Sequence, residues 1–357
     1  ARTCYEEAIS IARAVGARHN EAQARCNVAR PLAALGDVEA AYAAYREAIP
    51  IFAELGEVRA EAVANGNFGT QLQFAGRYEE AEPLLRRCLE LSRKTGYRLG
   101  EANALGNLGN WHYAQGRMAL ALDHLARSEA LLAELANEPQ RLHAAEILGL
   151  VQARLGHSNR ARKRFNDARA GWERLGMPSA TLLAVCALAQ IAADRADFTE
   201  AERLLGEALA SDVFADEAAT DALASCLGVV LLRQGKREAA AEQFCRVVEA
   251  DAETSACRAF LDRKLVAEAE TVLAAAGDED ECHHRISARY WLWRAGATRE
   301  HLQRAHELLE YVVAHAPPED RAELVHRVPL YQDVSTAWQD ESGQAPAGDA
   351  GACHREE

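Results

Sequence analysis

The chain has 357 residues, of which 49% are hydrophobic and 6% aromatic, and its formal net charge is −14 at pH 7. This acidic balance disfavours nucleic acid and anionic membrane surfaces as partners, because both attract basic patches. The sequence has neither an apolar run of about 18 residues nor an export leader. We therefore expect no membrane partner, and we place the protein in the cytoplasm.

Small residues recur along the chain with a period of forty. ANGNFG at 64–69 and ALGNLG at 104–109 hold glycine and asparagine in register. Two further series follow the same period: Gly36, Gly76, Gly116 and Gly156, and Gly16, Gly56, Gly96 and Gly176, with Ala136 in the one gap. The stretches between them have apolar residues three and four apart, which is typical of amphipathic helices, and each small residue suits a left-handed helix end. The sequence predicts helix, turn, helix, turn units that must stack to bury their apolar faces.

Within each unit, small and large residues alternate at fixed spacing. The first helix holds a small residue, the second an alanine, and a large side chain follows one turn later. These sets are Ala29, Gly69, Gly109, Gly149 and Ala189; Ala41, Ala81, Ala121, Ala161 and Ala201; and Tyr45, Leu85, Leu125, Phe165 and Leu205. We expect the small pair to let two helices approach closely, with the large residue beside that contact.

This spacing resembles the tetratricopeptide repeat (TPR) in its forty-residue class. The resemblance is clear over residues 1–251 and weak over 252–316. It implies an all-α, right-handed superhelical solenoid of antiparallel helix pairs.

In chain order, the predicted organisation starts within a repeat, which indicates a portion of a longer polypeptide. The predicted parts are the second helix of a truncated repeat at 1–16, six TPR-like repeats at 17–251, two degenerate helix pairs at 252–316, a C-terminal capping segment at 317–338, and a disordered tail at 339–357. Leu330, Tyr331 and Trp338 are the expected cap residues.

No catalytic, cofactor-binding or metal-binding motif is complete. HELLE at 306–310 has Glu310 where a zinc helix needs its second histidine, and Arg237 follows Gly235 and Lys236 where a phosphate loop needs a hydroxyl. The neighbours at 282–284, CHH, point about 100° apart on a helix, so they do not readily share one ion. The nine cysteines include no Cys-x-x-Cys pair, which is typical of small apolar residues in a reducing compartment. We predict a chain that is not an enzyme and binds no cofactor or metal.

Polar residues recur in register on the predicted first helices, which the resemblance places on the concave side of the solenoid. These groove candidates are Asn27, Arg30, Asn67, Thr70, Asn103, Asn107 and Asn110. Side-chain amides both donate and accept, so a row of them can hold the backbone of an extended peptide. Alternatively, they bond one another and form a structural ladder between repeats. The sequence leaves both interpretations open.

In the fourth repeat the same face becomes more apolar, with His143, Ile147 and Leu150 as candidates. One hypothesis is that they receive an apolar side chain of the peptide. The alternative, slightly favoured, is that Ile147 and Leu150 pack against the next repeat.

Two function classes follow. The first is a non-catalytic scaffold that binds a protein or peptide in its concave groove. GNLG in the first helices and RVPLYQDVSTAW at 327–338 resemble the C-terminal regions of large bacterial signalling proteins that carry a serine/threonine kinase or switch ATPase. The second is a sensor, regulatory or oligomerisation arm that packs on a linked kinase or ATPase, an intramolecular partner domain.

Overall fold

The structure is a computed structural model that describes residues 2–247, 251–276 and 282–342. These residues form nineteen α-helices, three short 3-10 turns and no strand, so the described chain is all-α. Its helix pairs form a repeat solenoid, as the sequence predicts.

The first nine helices follow the forty-residue period. From α2 to α9 each helix has 17 residues and three residues separate it from the next. The bounds are α1 Arg2–Ala14, α2 Arg18–Ala34, α3 Val38–Glu54, α4 Val58–Phe74, α5 Tyr78–Lys94, α6 Arg98–Ala114, α7 Met118–Glu134, α8 Glu138–Arg154 and α9 Ser158–Arg174.

The later helices are less regular in length. They are α10 Leu182–Asp194, α11 Phe198–Leu209, α12 Glu217–Arg233, α13 Arg237–Phe244, α14 Ala252–Leu261, α15 Val266–Ala276, α16 Cys282–Arg294, α17 Arg299–Ala314, α18 Leu324–Arg327 and α19 Pro329–Ser342. The chain divides into two compact units. The described residues of Ala1–Tyr113 and Leu120–Leu148 form the first unit, and those of Ala114–Ala119 and Gly149–Glu357 form the second.

The turns between helices depend on a left-handed residue at their centre. Gly36 has φ 84°. In this conformation the Gly36 N–H donates to the Ala33 carbonyl at 3.0 Å, and the Asp37 N–H donates to the Leu32 carbonyl at 3.0 Å. This pattern satisfies carbonyls that the helix end leaves open. Ala136 occupies the same position with φ 52°, so the predicted glycine series marks the turns.

Glycine in the first helix of a pair makes the contact that joins the two helices. The twelfth residue of α4, α6, α8 and α12 is glycine, and each lies against a large side chain sixteen residues later. The pairs are Gly69 with Leu85, Gly109 with Leu125, Gly149 with Phe165, and Gly228 with Phe244. A Cβ atom at Gly109 would lie 2.5 Å from Leu125 Cγ. The large residue therefore occupies the space of the missing side chain, whereas the sequence analysis placed it beside the contact.

The C-terminal helices of the second unit pack around Tyr331 of α19, which is fully buried. The His283 ring lies 3.3 Å from the Tyr331 hydroxyl, and the His306 ring stacks on Trp338 with centroids 5.1 Å apart. Leu330 is half-buried. In the same unit, the Ala119 N–H at the start of α7 donates to the carbonyl of His315, directly after α17, at 3.1 Å.

The last helix extends further than the sequence analysis predicts. Residues 339–342, assigned there to a disordered tail, belong to α19. Arg299 Nη2 donates to the Glu341 carbonyl at 3.0 Å, and this bond from α17 satisfies an open carbonyl at the helix end. Residues 343–357 lie outside the described residues.

Replacing Gly109 with leucine tests the glycine contact. We expect Gly109→Leu to lower the free energy of unfolding by at least about 1 to 3 kcal/mol, because the new side chain overlaps Leu125. The matched control is Gly206→Ala in α11, where a Cβ would meet nothing within 4 Å. That exposed change raises stability by about 0.5 to 1 kcal/mol through helix propensity. Thermal unfolding followed by circular dichroism measures both, and equal melting temperatures for Gly109→Leu and the parent contradict the packing.

Candidate peptide-binding groove

A groove of 1430 Å³ lies in the first unit between α2 and α4, above α3. We call it the α2/α4 groove. Four of the ten predicted site residues line it, and they are Asn27, Arg30, Asn67 and Thr70. The structure thus brings together the candidates of the first two full repeats. The six from later repeats do not line it.

Two asparagines expose their amides in the α2/α4 groove. Asn27 on α2 and Asn67 on α4 are forty residues apart, hold the tenth position of their helices and are solvent-exposed. Asn27 Oδ1 accepts a hydrogen bond from Gln23 Nε2 at 3.0 Å. Asn67 makes no side-chain hydrogen bond with any residue that the structure describes. Its amide keeps both donor and acceptor capacity for a ligand.

Thr70 and Asn107 form a different arrangement, which joins two repeats. Asn107 Nδ2 on α6 donates to Thr70 Oγ1 on α4 at 2.7 Å, and Thr70 Oγ1 donates to the Gly66 carbonyl at 2.8 Å. Gln73 Nε2 donates to the Asn107 carbonyl at 2.8 Å. These bonds are the structural ladder that the sequence analysis considered as the alternative. The row of polar residues therefore divides into exposed amides and bonded ones.

Asn103 and Asn110 are half-buried on the same helix as Asn107. Neither of their side chains makes a hydrogen bond within the described part of the chain. Together with Asn107 they lie beyond the lining of the α2/α4 groove.

Aromatic residues of α3 form the floor of the groove. Tyr42 and Tyr45 line it although their exposed fractions are only 1% and 0%. The Tyr45 ring stacks on Phe68 with centroids 5.4 Å apart, and the Arg77 guanidinium lies over the Tyr42 ring at 5.0 Å. The floor is therefore packed before any ligand arrives, which lowers the ordering cost of binding.

The Tyr45 hydroxyl has no hydrogen-bond partner among the described residues. Burial raises the pKa of Tyr45 to about 12, because the charged form loses its hydration. The sequence analysis identified Tyr45 only as the large packing residue. The sequence does contain a signal that distinguishes this position. Tyr45 carries a hydroxyl group, whereas the corresponding residues of the later repeats have none, and these are Leu85, Leu125, Phe165 and Leu205.

The three candidates of the fourth repeat do not form an apolar groove wall. Ile147 is only 7% exposed, so the structure corrects it from a groove candidate to a core residue. Leu150 is half-buried and packs against a core cluster that includes Ala161 and Phe165. Leu150 thus packs against the next repeat, because that cluster also contains Ala184 and Leu188 of α10. His143 remains exposed.

The remaining motifs make ordinary structural contacts. Cys88 and Cys257 are buried as free thiols, and Cys282 is also buried. Residues 2–247, 251–276 and 282–342 contain no group of three or more His, Cys, Asp or Glu side chains that could hold a metal ion. In the same residues, no helix has the length and apolar character needed to cross a bilayer.

Comparison with known proteins supports an array of helical repeats. Residues 60–134 match a family model described as tetratricopeptide repeat. A comparison with curated proteins found no match. Among solved structures, NprR in complex with its cognate peptide NprX matches with a TM-score of 0.52 at 14% identity, over 91% of this chain and 95% of that one.

Two further solved structures match less well. A tetratricopeptide repeat protein from Parabacteroides merdae ATCC 43184 has a TM-score of 0.49 at 16% identity, over 82% of this chain and 98% of that one. Yeast Tom70 has a TM-score of 0.46 at 14% identity, over 87% of this chain and 64% of that one. The match at residues 60–134 and the likeness to NprR indicate a TPR-like fold, and the likeness is limited to the fold.

A pair of single substitutions separates the two kinds of asparagine. Asn67 and Asn107 occupy the same position of α4 and α6, so the helix propensity gained on changing either to alanine cancels in the comparison. We expect Asn107→Ala to be less stable than Asn67→Ala by about 1 kcal/mol, because only Asn107 loses a bond to Thr70. Urea denaturation measures the difference. Equal stabilities would show that the bond between repeats contributes nothing.

Proposed function

We propose that this TPR-like array is a non-catalytic interaction scaffold that binds an extended peptide segment of a partner protein in the α2/α4 groove. The observation that carries the proposal is the open groove with exposed amides of Asn27 and Asn67 above an aromatic floor. An extended peptide presents unpaired N–H and C=O groups along its length. Amide side chains on two successive repeats suit both kinds of group.

The groove lining supports a preference for apolar side chains in the bound peptide. Val38 and Val63 expose apolar surface beside the packed aromatic floor, and burying a large side chain against such surface contributes about 1.5 to 3 kcal/mol. Arg30 in the lining adds a positive charge. The backbone contacts would position the peptide, and this apolar surface would select one side chain.

The complex of NprR with its peptide NprX supports the proposal in one respect. It is a solved structure of similar fold with a peptide bound. We further propose a cytoplasmic role as part of a larger bacterial signalling protein, on the resemblance of GNLG and RVPLYQDVSTAW to such proteins.

Peptide selection followed by substitution tests the groove. Peptides selected from a random decapeptide library on the full chain are labelled, and their affinities are measured by fluorescence anisotropy. We expect the double variant Asn27→Ala/Asn67→Ala to bind about tenfold more weakly, because it loses two hydrogen bonds to the peptide backbone. Its stability stays close to that of the parent, since both side chains are exposed.

The matched control is Gln140→Ala/Gln332→Ala, which removes two exposed amides outside the groove. It leaves peptide affinity unchanged. The proposal fails when the groove variant binds every selected peptide as tightly as the parent does.

A further inference from the structure

Helix α9 is strongly basic in an acidic protein. Its sequence, SNRARKRFNDARAGWER, contains six arginine or lysine residues and two acidic ones, while the whole chain has a net charge of −14. Because the charge of α9 has the opposite sign to that of the whole chain, this helix concentrates positive potential on one part of the second unit.

The basic residues of α9 meet those of α11 around a recess of 530 Å³. Arg162 and Arg169 come from α9, Arg195 directly follows α10, and Arg203 lies within α11. Leu188, Ile191 and Ala192 of α10 form an apolar floor. A second recess of 540 Å³ at the start of α9 shares Arg195 and is also lined by Arg160 and Arg327. We call the six residues Arg160, Arg162, Arg169, Arg195, Arg203 and Arg327 the arginine surface.

Three members of the arginine surface are neutralised within the protein. Arg203 pairs with Glu200 at 2.7 Å and Glu207 at 2.8 Å, and Arg327 pairs with Asp320 at 2.7 Å. Arg169 lies 3.8 Å from Glu173.

The other three members have no carboxylate partner among the described residues. Arg160, Arg162 and Arg195 are solvent-exposed, and no described carboxylate lies within ion-pair distance of them. Arg195 Nη1 donates to the neutral oxygen Asn159 Oδ1 at 3.2 Å. Their guanidinium groups therefore retain most of their hydrogen-bond donors for an outside acceptor.

The same register position carries an acid in the first unit. Glu39 of α3 forms an ion pair with Arg77 at 3.1 Å, and three periods of forty later these two positions hold Asn159 and Asp197. Arg195 therefore meets a neutral amide at the position of α9 where α3 carries an acid. A partner that brings carboxylates gains more from guanidinium groups that no internal acid neutralises than from those that already have an acidic partner.

We infer that the arginine surface is a docking site for an acid-rich segment of a partner protein, separate from the α2/α4 groove. Guanidinium groups bind carboxylates in a bidentate manner, which gives orientation as well as attraction. Leu204, which is half-buried beside this floor, offers apolar surface to an aliphatic side chain between the acidic ones. The net charge of −14 disfavours a nucleic acid, whose phosphates extend as a continuous run of negative charge well beyond this surface.

The test uses a peptide array in which acidic content rises stepwise at constant length and constant leucine content, probed with the labelled full chain. We expect binding to increase with the number of Asp and Glu residues and to weaken with added salt, since exposed charges are screened. The triple variant Arg160→Glu/Arg162→Glu/Arg195→Glu binds the most acidic peptides at least about tenfold more weakly. A milder variant with glutamine at the same positions shows a smaller loss.

The control Lys94→Glu/Arg246→Glu/Lys264→Glu reverses three exposed charges elsewhere and leaves acidic-peptide binding nearly unchanged. Asn27→Ala/Asn67→Ala also leaves it unchanged, which separates this surface from the groove. Circular dichroism checks the helix content of each variant.

Three results overturn the inference. They are binding that is independent of acidic content, an equal loss in the control triple variant, and binding of a single-stranded RNA oligonucleotide as tightly as the acidic peptides. Equally tight RNA binding would show that the arginine surface binds polyanions in general.

Discussion

Close contact between a glycine and a large residue sixteen positions later holds together four of the helix pairs that the structure describes. Gly109 and Leu125 illustrate the constraint, because a single added carbon would lie 2.5 Å from the leucine side chain. Glycine weakens a helix by about 1 kcal/mol relative to alanine, so helical propensity alone disfavours it at these positions. Packing outweighs propensity here, since the two helices bury their apolar faces only when they approach this closely.

This packing also shapes the α2/α4 groove. In the second helix of its pair, Tyr45 takes the large position opposite Ala29, and its ring stacks on Phe68 of the following repeat. The same residue thus fills the core and forms the floor of the groove. On the first helices, positions that the core does not use are left to polar residues such as Asn27 and Asn67.

Equivalent positions have different roles in different repeats. Asn67 is exposed, whereas Asn107 one period later bonds Thr70. Likewise Glu39 pairs with Arg77, whereas Asn159, three periods after Glu39, offers only a neutral amide to Arg195. A repeat fold conserves its backbone contacts and leaves side chains outside them free to differ. The two surfaces proposed for binding both arise from such differences, and each lies within a single unit.

The sequence by itself determined the helices, the turns and the period. Left-handed turns require glycine or a tolerant substitute, and amphipathic spacing marks the helices between them, so both are local properties of the chain. It also indicated the polar row, of which Asn27, Arg30, Asn67 and Thr70 line the groove.

Only the tertiary structure decided which members of that row are exposed, that Ile147 points into the core, and that α19 continues to Ser342. It likewise decided which arginines have an acidic partner. Each of these outcomes depends on side chains from other helices, such as Thr70 beside Asn107 or Arg299 beside Glu341, and periodicity along one chain does not specify how such neighbours meet.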